Sequence, residues 1–313
     1  MKSQQNHHYV GCDVAKAKID VDSGSEKFIV SNDEKGFAKL FRKLRGLDAP
    51  MLVLEHTGIY GNALCNAAEE KGVAFARVDP KKVRHFAKSE GRHAKTDPLD
   101  AQIIRRFAEE KRPAPQRMPS KFAQKLRELR NTIDLLTKNN AQLRCQLEAT
   151  GERLLRKALE KVLVSNEKMV RKLEEECGKL IRSDPRSNAL FESFTSVRGV
   201  GAKTASTLIA TMPELGSLPR GKIAALAGVA PFDSQSGKHV GARSCRDGRV
   251  RVRCALYMAA LSAVRSPESP LHAQYLRLRS SNKPFKVALV ACMRKLLIHL
   301  NSLAKNTLKN FSA

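Results

Sequence analysis

Apolar positions fall into three regimes along the chain. The first, from Tyr9 to Val78, consists of short runs. Tyr9-Val10-Gly11-Cys12-Asp13 is an apolar run closed by an acid, Lys18-Ile19-Asp20-Val21-Asp22 alternates, and Lys27-Phe28-Ile29-Val30 follows a turn at Gly24. These segments predict a three-strand meander. Phe37, Leu40, Phe41 and Leu44 recur at helical spacing between Asn32 and Arg45, and Gly46 stops that helix. Met51–Glu55 predicts a fourth strand, Ala63, Leu64, Ala67 and Ala68 a helix ending at Gly72, and Ala74–Val78 a fifth strand. In the second regime a heptad runs through Phe122, Leu126, Leu129, Ile133, Leu136, Asn140, Leu143 and Leu147. Asn140 falls on its seam, where an Asn fixes register at some cost in stability. The phase loosens at Thr150-Gly151, and Leu159, Val162, Met169, Leu173, Cys177 and Leu180 continue a stripe to about Arg182. This predicts a long antiparallel helical hairpin or coiled coil. The third regime is helical. It has a helix over Val252–Val264 and another from about Phe285 to Leu303, with Met293, Leu296, Leu297 and Leu300 in the core. Lys111-Arg112-Pro113-Ala114-Pro115 and Ser183-Asp184-Pro185 break the pattern, giving expected domains over 1–115, 116–185 and 186–313.

Three strands, a helix and then alternating strand–helix units is the order of an RNase H-like sheet with mixed strand directions. The expected class is α/β followed by an all-α remainder. A central first strand and a neighbouring fourth would then end in Asp13 and Glu55. Asp97 and Asp100 stand at i and i+3 behind Thr96 as N-cap, with Pro98 in the first turn, which puts both on one face of a helix start. Taken singly, each acid reads equally well as an ordinary strand-end or cap residue. Four carboxylates converging on one point repel unless cations neutralise them. Hard oxygen ligands beside phosphates suit Mg2+, or Mn2+, and two such ions about 3.5–4 Å apart can clamp the attacking and leaving oxygens of a phosphodiester.

Charge narrows the partner. Lys and Arg number 57 against 31 acids, a net charge of +26 with a pI near 10.1, which points to nucleic acid. Six basic residues (Lys81, Lys82, Arg84, Lys88, Arg92 and Lys95) against one acid, Glu90, lead directly into Asp97 and predict phosphate contacts beside the acids. Gly199-Val200-Gly201-Ala202-Lys203-Thr204 is a helix-hairpin-helix pattern, whose glycines let backbone N–H groups approach a DNA phosphate at a helix N-terminus. A Ser- and Gly-rich stretch from Gly228 to Arg243 reads as a loop, and Lys238, Arg243, Arg249 and Arg253 supply positive charge in and after it. In and just after that loop stand Ser234, Ser236 and Ser244, and local sequence leaves open whether one of them is a nucleophile or the segment only cradles phosphate. The longest uncharged apolar stretch, Cys254–Val264, is 11 residues and too short to span a bilayer. The polar start has no signal-peptide core. Seven scattered cysteines without a CxxC pair predict reduced thiols in a cytosol, with neither a disulfide framework nor a zinc site.

These residues resemble the DEDD-type insertion-sequence transposases, a family that includes Piv-type DNA invertases and bridge-RNA-guided recombinases. The likeness is carried by Gly11-Cys12-Asp13-Val14-Ala15-Lys16, Glu55-His56-Thr57-Gly58-Ile59-Tyr60, Lys95-Thr96-Asp97-Pro98-Leu99-Asp100-Ala101, Gly199-Val200-Gly201, and Ser236-Gly237-Lys238 ahead of Arg253-Cys254-Ala255-Leu256-Tyr257-Met258. The resemblance implies a RuvC-type N-terminal domain, a coiled coil, and a C-terminal transposase domain in which Ser236 is the nucleophile. It also implies Mg2+, a homo-dimer or tetramer holding double-stranded donor and target DNA, in part of the family a structured guide (bridge) RNA, and a bacterial, nucleoid-associated place in the cytoplasm. Two other functions remain to be weighed. One is a metal-only junction-resolving nuclease, against which the Ser-Gly-Lys segment speaks. The other is a non-catalytic architectural protein, against which the acid quartet speaks.

Charge-dominated binding has a direct consequence. Affinity for duplex DNA is expected to fall steeply between roughly 50 and 200 mM salt, because bound counterions are released. A filter-binding or anisotropy titration that stays flat over that range would refute it.

Overall fold

The computed structural model describes residues 7–56, 59–91, 101–236 and 239–311, with the backbone alone at 233–236 and 239–243. Two compact units result, Met1–Pro119 and Ser120–Ala313.

The first unit begins with β1 (His8–Val14), β2 (Lys18–Asp22) and β3 (Lys27–Ser31), then α1 (Glu34–Leu44), β4 (Pro50–Glu55), α2 (Gly61–Glu70), β5 (Ala74–Val78), α3 (Pro80–Ser89) and α4 (Ala101–Lys111). The sheet order is β3-β2-β1-β4-β5, antiparallel through the meander and parallel from β1 to β4 and β5. β1 is therefore central and β4 is its neighbour, as expected from the element order. Met51-Leu52-Val53-Leu54 is fully buried, the condition of a parallel strand covered on both faces. Leu52 and Leu54 pack with Val10, Cys12 and Ile19 against Phe37 and Leu40 of α1 and Leu64 of α2. Met51 and Val53 pack on the other face with Val83 and Phe86 of α3 and Ile103, Ile104 and Phe107 of α4. The predicted linker after Lys111 covers the open sheet edge: Gln116 N donates to Phe75 O at 2.8 Å, and Arg77 N to Gln116 Oε1 at 3.2 Å.

α4 lies unusually close to β1. A Cβ on Gly11 would sit 1.9 Å from Ala101 O and 2.7 Å from Arg105 N, so only glycine admits the helix. Arg105 then reaches β2, where its Nε donates to Oδ1 of buried Asp22 at 2.8 Å. The same oxygen accepts from Gly24 N at 2.7 Å, which fixes the turn after β2.

The second unit opens with the helical hairpin α5 (Lys121–Ala149) and α6 (Arg153–Ser183). Leu126, Ile133 and Asn140, seven residues apart, are buried on its seam. The stripe expected on α6 needs correction, because Val162 and Met169 are 48% and 49% exposed. Leu159, Leu173, Cys177 and Leu180 do face inward, and Leu163, Val170 and Ile181 join them in place of Val162 and Met169. The break at Thr150 resets the helical phase, and one partner helix can cover only one stripe. The hairpin packs on the C-terminal helices through Leu126, Ile133, Cys177 and Ile181 against Ala210.

Those helices are α7 (Pro185–Thr195), α8 (Ala202–Thr211) and α9 (Arg220–Leu226), followed by strands β6 (Pro231–Ser236) and β7 (His239–Cys245), then α10 (Val250–Arg265), α11 (Pro270–Ser280) and α12 (Phe285–Lys309). The stretch expected to be a loop is thus an antiparallel hairpin, with Ser236 opposite His239 and Pro231 opposite Cys245. Pairing between the two segments supplies the order that their Ser- and Gly-rich composition does not. α12 is the one described helix long and apolar enough to cross a membrane. It buries Leu289, Cys292, Met293, Leu296, Leu297 and Leu300 in the core of this unit. All seven cysteines are free.

Gly11→Ala is expected to destabilise the first unit by about 1–3 kcal/mol, the usual cost of overpacking. Gly46→Ala, with nothing within 4 Å of the added carbon, should be near neutral. Denaturant unfolding of both variants checks this, and equal midpoints would show that α4 can shift freely.

Candidate active site

Asp13 is the penultimate residue of β1 and Glu55 the last of β4. The parallel register that pairs Cys12 with Leu54 carries both acids to the same end of the sheet. Glu55 is half-buried, and its Oε1 is buried without a hydrogen-bond partner. Burial pushes its carboxyl above the usual range, the charge of Asp13 pushes it further, Arg84 opposes, and Asp79 adds a smaller upward push. A buried carboxylate oxygen with no donor, beside a second acid, suits a hard divalent cation. Among the described residues no group of three or more His, Cys, Asp or Glu is placed to hold a metal. Asp97 and Asp100 lie outside the described residues. Ala101, the next residue in sequence after Asp100, sits directly over Gly11, which shares a sheet face with Asp13.

Two further acids reach this end of the sheet. Asp79 caps α3, accepting from Lys81 N at 2.9 Å, and acts electrostatically on Glu55. Asp20 stands opposite Asp13 in the β1–β2 ladder and pairs with Lys18 at 3.0 Å. The Asp79-Pro80 pair is a readable N-cap signal, but nothing in its spacing from Glu55 foretells their proximity.

α3 buries Val83, Phe86 and Ala87 and exposes Lys81, Lys82, Arg84 and Lys88. The basic run is therefore a helix face, and Arg84 on it is close enough to influence Glu55. Arg92 and Lys95 lie outside the described residues.

In the second unit Gly199 has φ +90° and touches α10: a Cβ there would meet Ala259 O at 2.6 Å. Its glycine serves close helix packing as well as the turn. Gly201, the N-cap of α8, has open space around it and no side-chain cap, and Lys203 in the first turn is exposed. Arg249 and Arg253, expected on DNA, have partners within the fold. Arg249 makes a two-pronged ion pair with Glu214 at 2.6 Å for each prong, which holds that carboxyl below its usual range despite burial, and it also donates to Thr211 O. Arg253 Nη1 donates to Asp247 O at 2.6 Å. Gly237 and Lys238 lie outside the described residues. For Ser236 and Arg243 the strand backbone places the residue and no more. Arg251 was missed as a residue of interest. Its partners, Asp134 and Asn131, are more than a hundred positions away, and no local pattern signals them.

Comparison with known proteins follows the same division. Residues 3–158 match the DEDD IS110-type transposase model, and residues 192–276 match the model described as transposase IS116/IS110/IS902 family. The first match takes in all four acids and the second takes in Gly199 and Ser236. Two pilin gene-inverting proteins, from Moraxella lacunata and Moraxella bovis, are each 25% identical over 305 residues, covering 92% of this chain and 93% of the relative. With an acid pair at the end of a mixed five-stranded sheet and these two matches along its length, the chain belongs to the DEDD-type insertion-sequence transposase family and is a DNA recombinase.

Proposed function

We propose that the protein cuts and rejoins strands of double-stranded DNA with two sets of residues. Asp13, Glu55, Asp97 and Asp100 hold Mg2+ or Mn2+, and Ser236 forms the covalent link to DNA. The observation that carries the metal reading is Glu55 Oε1, buried and unpartnered beside Asp13. The bound cation supplies charge neutralisation and polarisation at the phosphodiester. Arg84 keeps Glu55 closer to its ionised, ligating form, and the exposed basic face of α3 holds the DNA backbone.

At Ser236 the hydroxyl oxygen bonds to phosphorus, the P–O bond to one deoxyribose breaks, and the serine proton leaves on the departing oxygen. Rejoining runs the same exchange in reverse with a strand-end hydroxyl. Serine needs activation for this attack. Lys238 and Arg243 are the residues of the segment suited to neutralise charge on the phosphorane-like transition state. The place of Ser236 at the end of β6, and its position in the family pattern, favour it over Ser234 and Ser244.

Self-association is supported by Leu154, Leu155, Val162 and Met169, large apolar residues left exposed on α6. The net charge of +26 leaves room for a structured guide RNA as well as two DNA sites, acting on the nucleoid in the cytoplasm. A second reading is inversion between two sites in one DNA without a guide, favoured by near full-length likeness to the two pilin gene-inverting proteins.

Two measurements test this. Because the folded pKa of Glu55 is raised above 4.5, ionising it opposes folding, and that cost appears as pH rises through the raised value. In EDTA at neutral pH, Glu55→Gln should therefore melt above the parent, with the gain vanishing below pH 4.5. Added Mg2+ should stabilise the parent and not the variant, and strand exchange should be lost. Equal stabilisation of both by Mg2+ would remove Glu55 from the metal site. Separately, a nicked suicide substrate should trap a covalent adduct that peptide mass spectrometry maps to Ser236. An adduct that persists in Ser236→Ala would move the nucleophile elsewhere.

A further inference from the structure

The two strands of the serine hairpin meet at their base in a crossing of two glycines. Gly228, ahead of β6, and Gly248, behind β7, have φ of +72° and +73°. A Cβ on Gly248 would lie 2.3 Å from Gly228 N, and one on Gly228 would lie 2.4 Å from Asp247 O. Of three arginines at alternate positions, two then fix this base. Arg249 holds Glu214 and Thr211, and its backbone N–H donates to Leu226 O at 2.9 Å. Arg253 bridges Asp247 O and Gly228 O across the crossing. Arg251 goes elsewhere. At 3.6 residues per turn it projects roughly 200° from Arg249 around the start of α10. There its Nε donates to Asp134 Oδ2 on α5 at 2.8 Å, its Nη2 donates to the same oxygen at 2.5 Å, and its Nη1 bonds Asn131. Arg130 on α5 is the weaker claimant on Asp134, at 3.4 Å.

We propose that Asp134 and Arg251 are positioning residues for strand transfer, tying the α5–α6 hairpin to the base of the strand pair that carries Ser236. This rests on the serine reading given above. The glycine crossing makes the base a rigid pivot, so a displacement at Arg251 passes to β6 and β7 as a rotation. The long hairpin, whose exposed apolar stripe suits self-association, thereby acts on the nucleophile, and assembly and strand cleavage are linked through one ion pair. Both side chains remain about a third exposed, at 33% and 37%, so the pair adds little to stability. Its effect is expected on geometry, where a displacement of about 1 Å far from the chemistry can cost about 100-fold in rate.

The test is a double-mutant cycle in the full-length protein, using Asp134→Asn and Arg251→Gln. It is read as the rate of adduct formation on a suicide substrate at saturating DNA, with melting temperature, DNA affinity and oligomeric mass recorded alongside. Each single change should slow adduct formation about 10- to 100-fold. Melting temperatures should stay close to the parent's, and the double variant should be no slower than the slower single. The reversed pair, Asp134→Arg with Arg251→Asp, should recover at least about tenfold over the slower reversed single, the least loss expected from the broken contact. Independent, additive losses in the neutral cycle, or singles with parental adduct rates, would overturn the proposal, and the neutral cycle decides if the reversed pair does not fold. If the parent forms no serine adduct the underlying reading fails on its own. The same cycle, read on strand exchange, then still decides whether the contact positions the hairpin.

Discussion

The contact on which the first unit depends is the seating of α4 on Gly11. Helix and strand approach so closely that a single methyl group would overlap the carbonyl of Ala101. With α4 there, Arg105 reaches Asp22 and closes β2 against the same helix. Ile103, Ile104 and Phe107 then complete the apolar layer over β4. The strand end that bears Asp13 is thereby fixed against the chain that follows Asp100. Two acids read as strand-borne and two read as helix-borne become one candidate site only if that seating holds.

Electrostatics set the second constraint. The chain as a whole is strongly positive, yet its candidate site concentrates negative charge: Asp13, Glu55, Asp79 and Asp20 gather at one end of the sheet. The fold offsets part of this locally, with Lys18 on Asp20 and Arg84 near Glu55. It leaves one oxygen of Glu55 buried with no donor. A sheet end that keeps such a group opposes folding slightly, because burial disfavours the ionised carboxylate.

The second unit uses the same device of glycine contact with arginine bracing, at Gly228 and Gly248. Arg249 and Arg253 looked like DNA contacts because they sit in a basic run behind a serine. In the fold they brace the hairpin base, whereas the basic residues of α3 and Lys203 in the first turn of α8 are exposed.

Much of this was legible in the residues. Period-two and apolar runs marked all five strands of the first sheet, helical spacing with a closing glycine marked α1 and α2, and α3 lay hidden in a basic run. The heptad marked α5 down to its buried Asn140, and the acid-closed runs marked the two strands whose ends bear Asp13 and Glu55. These features are local: a backbone conformation and a buried face are set by neighbours a few positions away. The sequence could not give the pairing of Arg105 with Asp22, 83 positions apart, or of Arg251 with Asp134, 117 apart. Nor could it place Asp79 near Glu55, choose Leu163 and Val170 over Val162 and Met169 as the inward stripe of α6, or turn a Ser- and Gly-rich run into β6 and β7. Each of these depends on which surface a distant element presents. That is decided only when strands pair and helices dock, because spacing along the chain carries no record of distance across it.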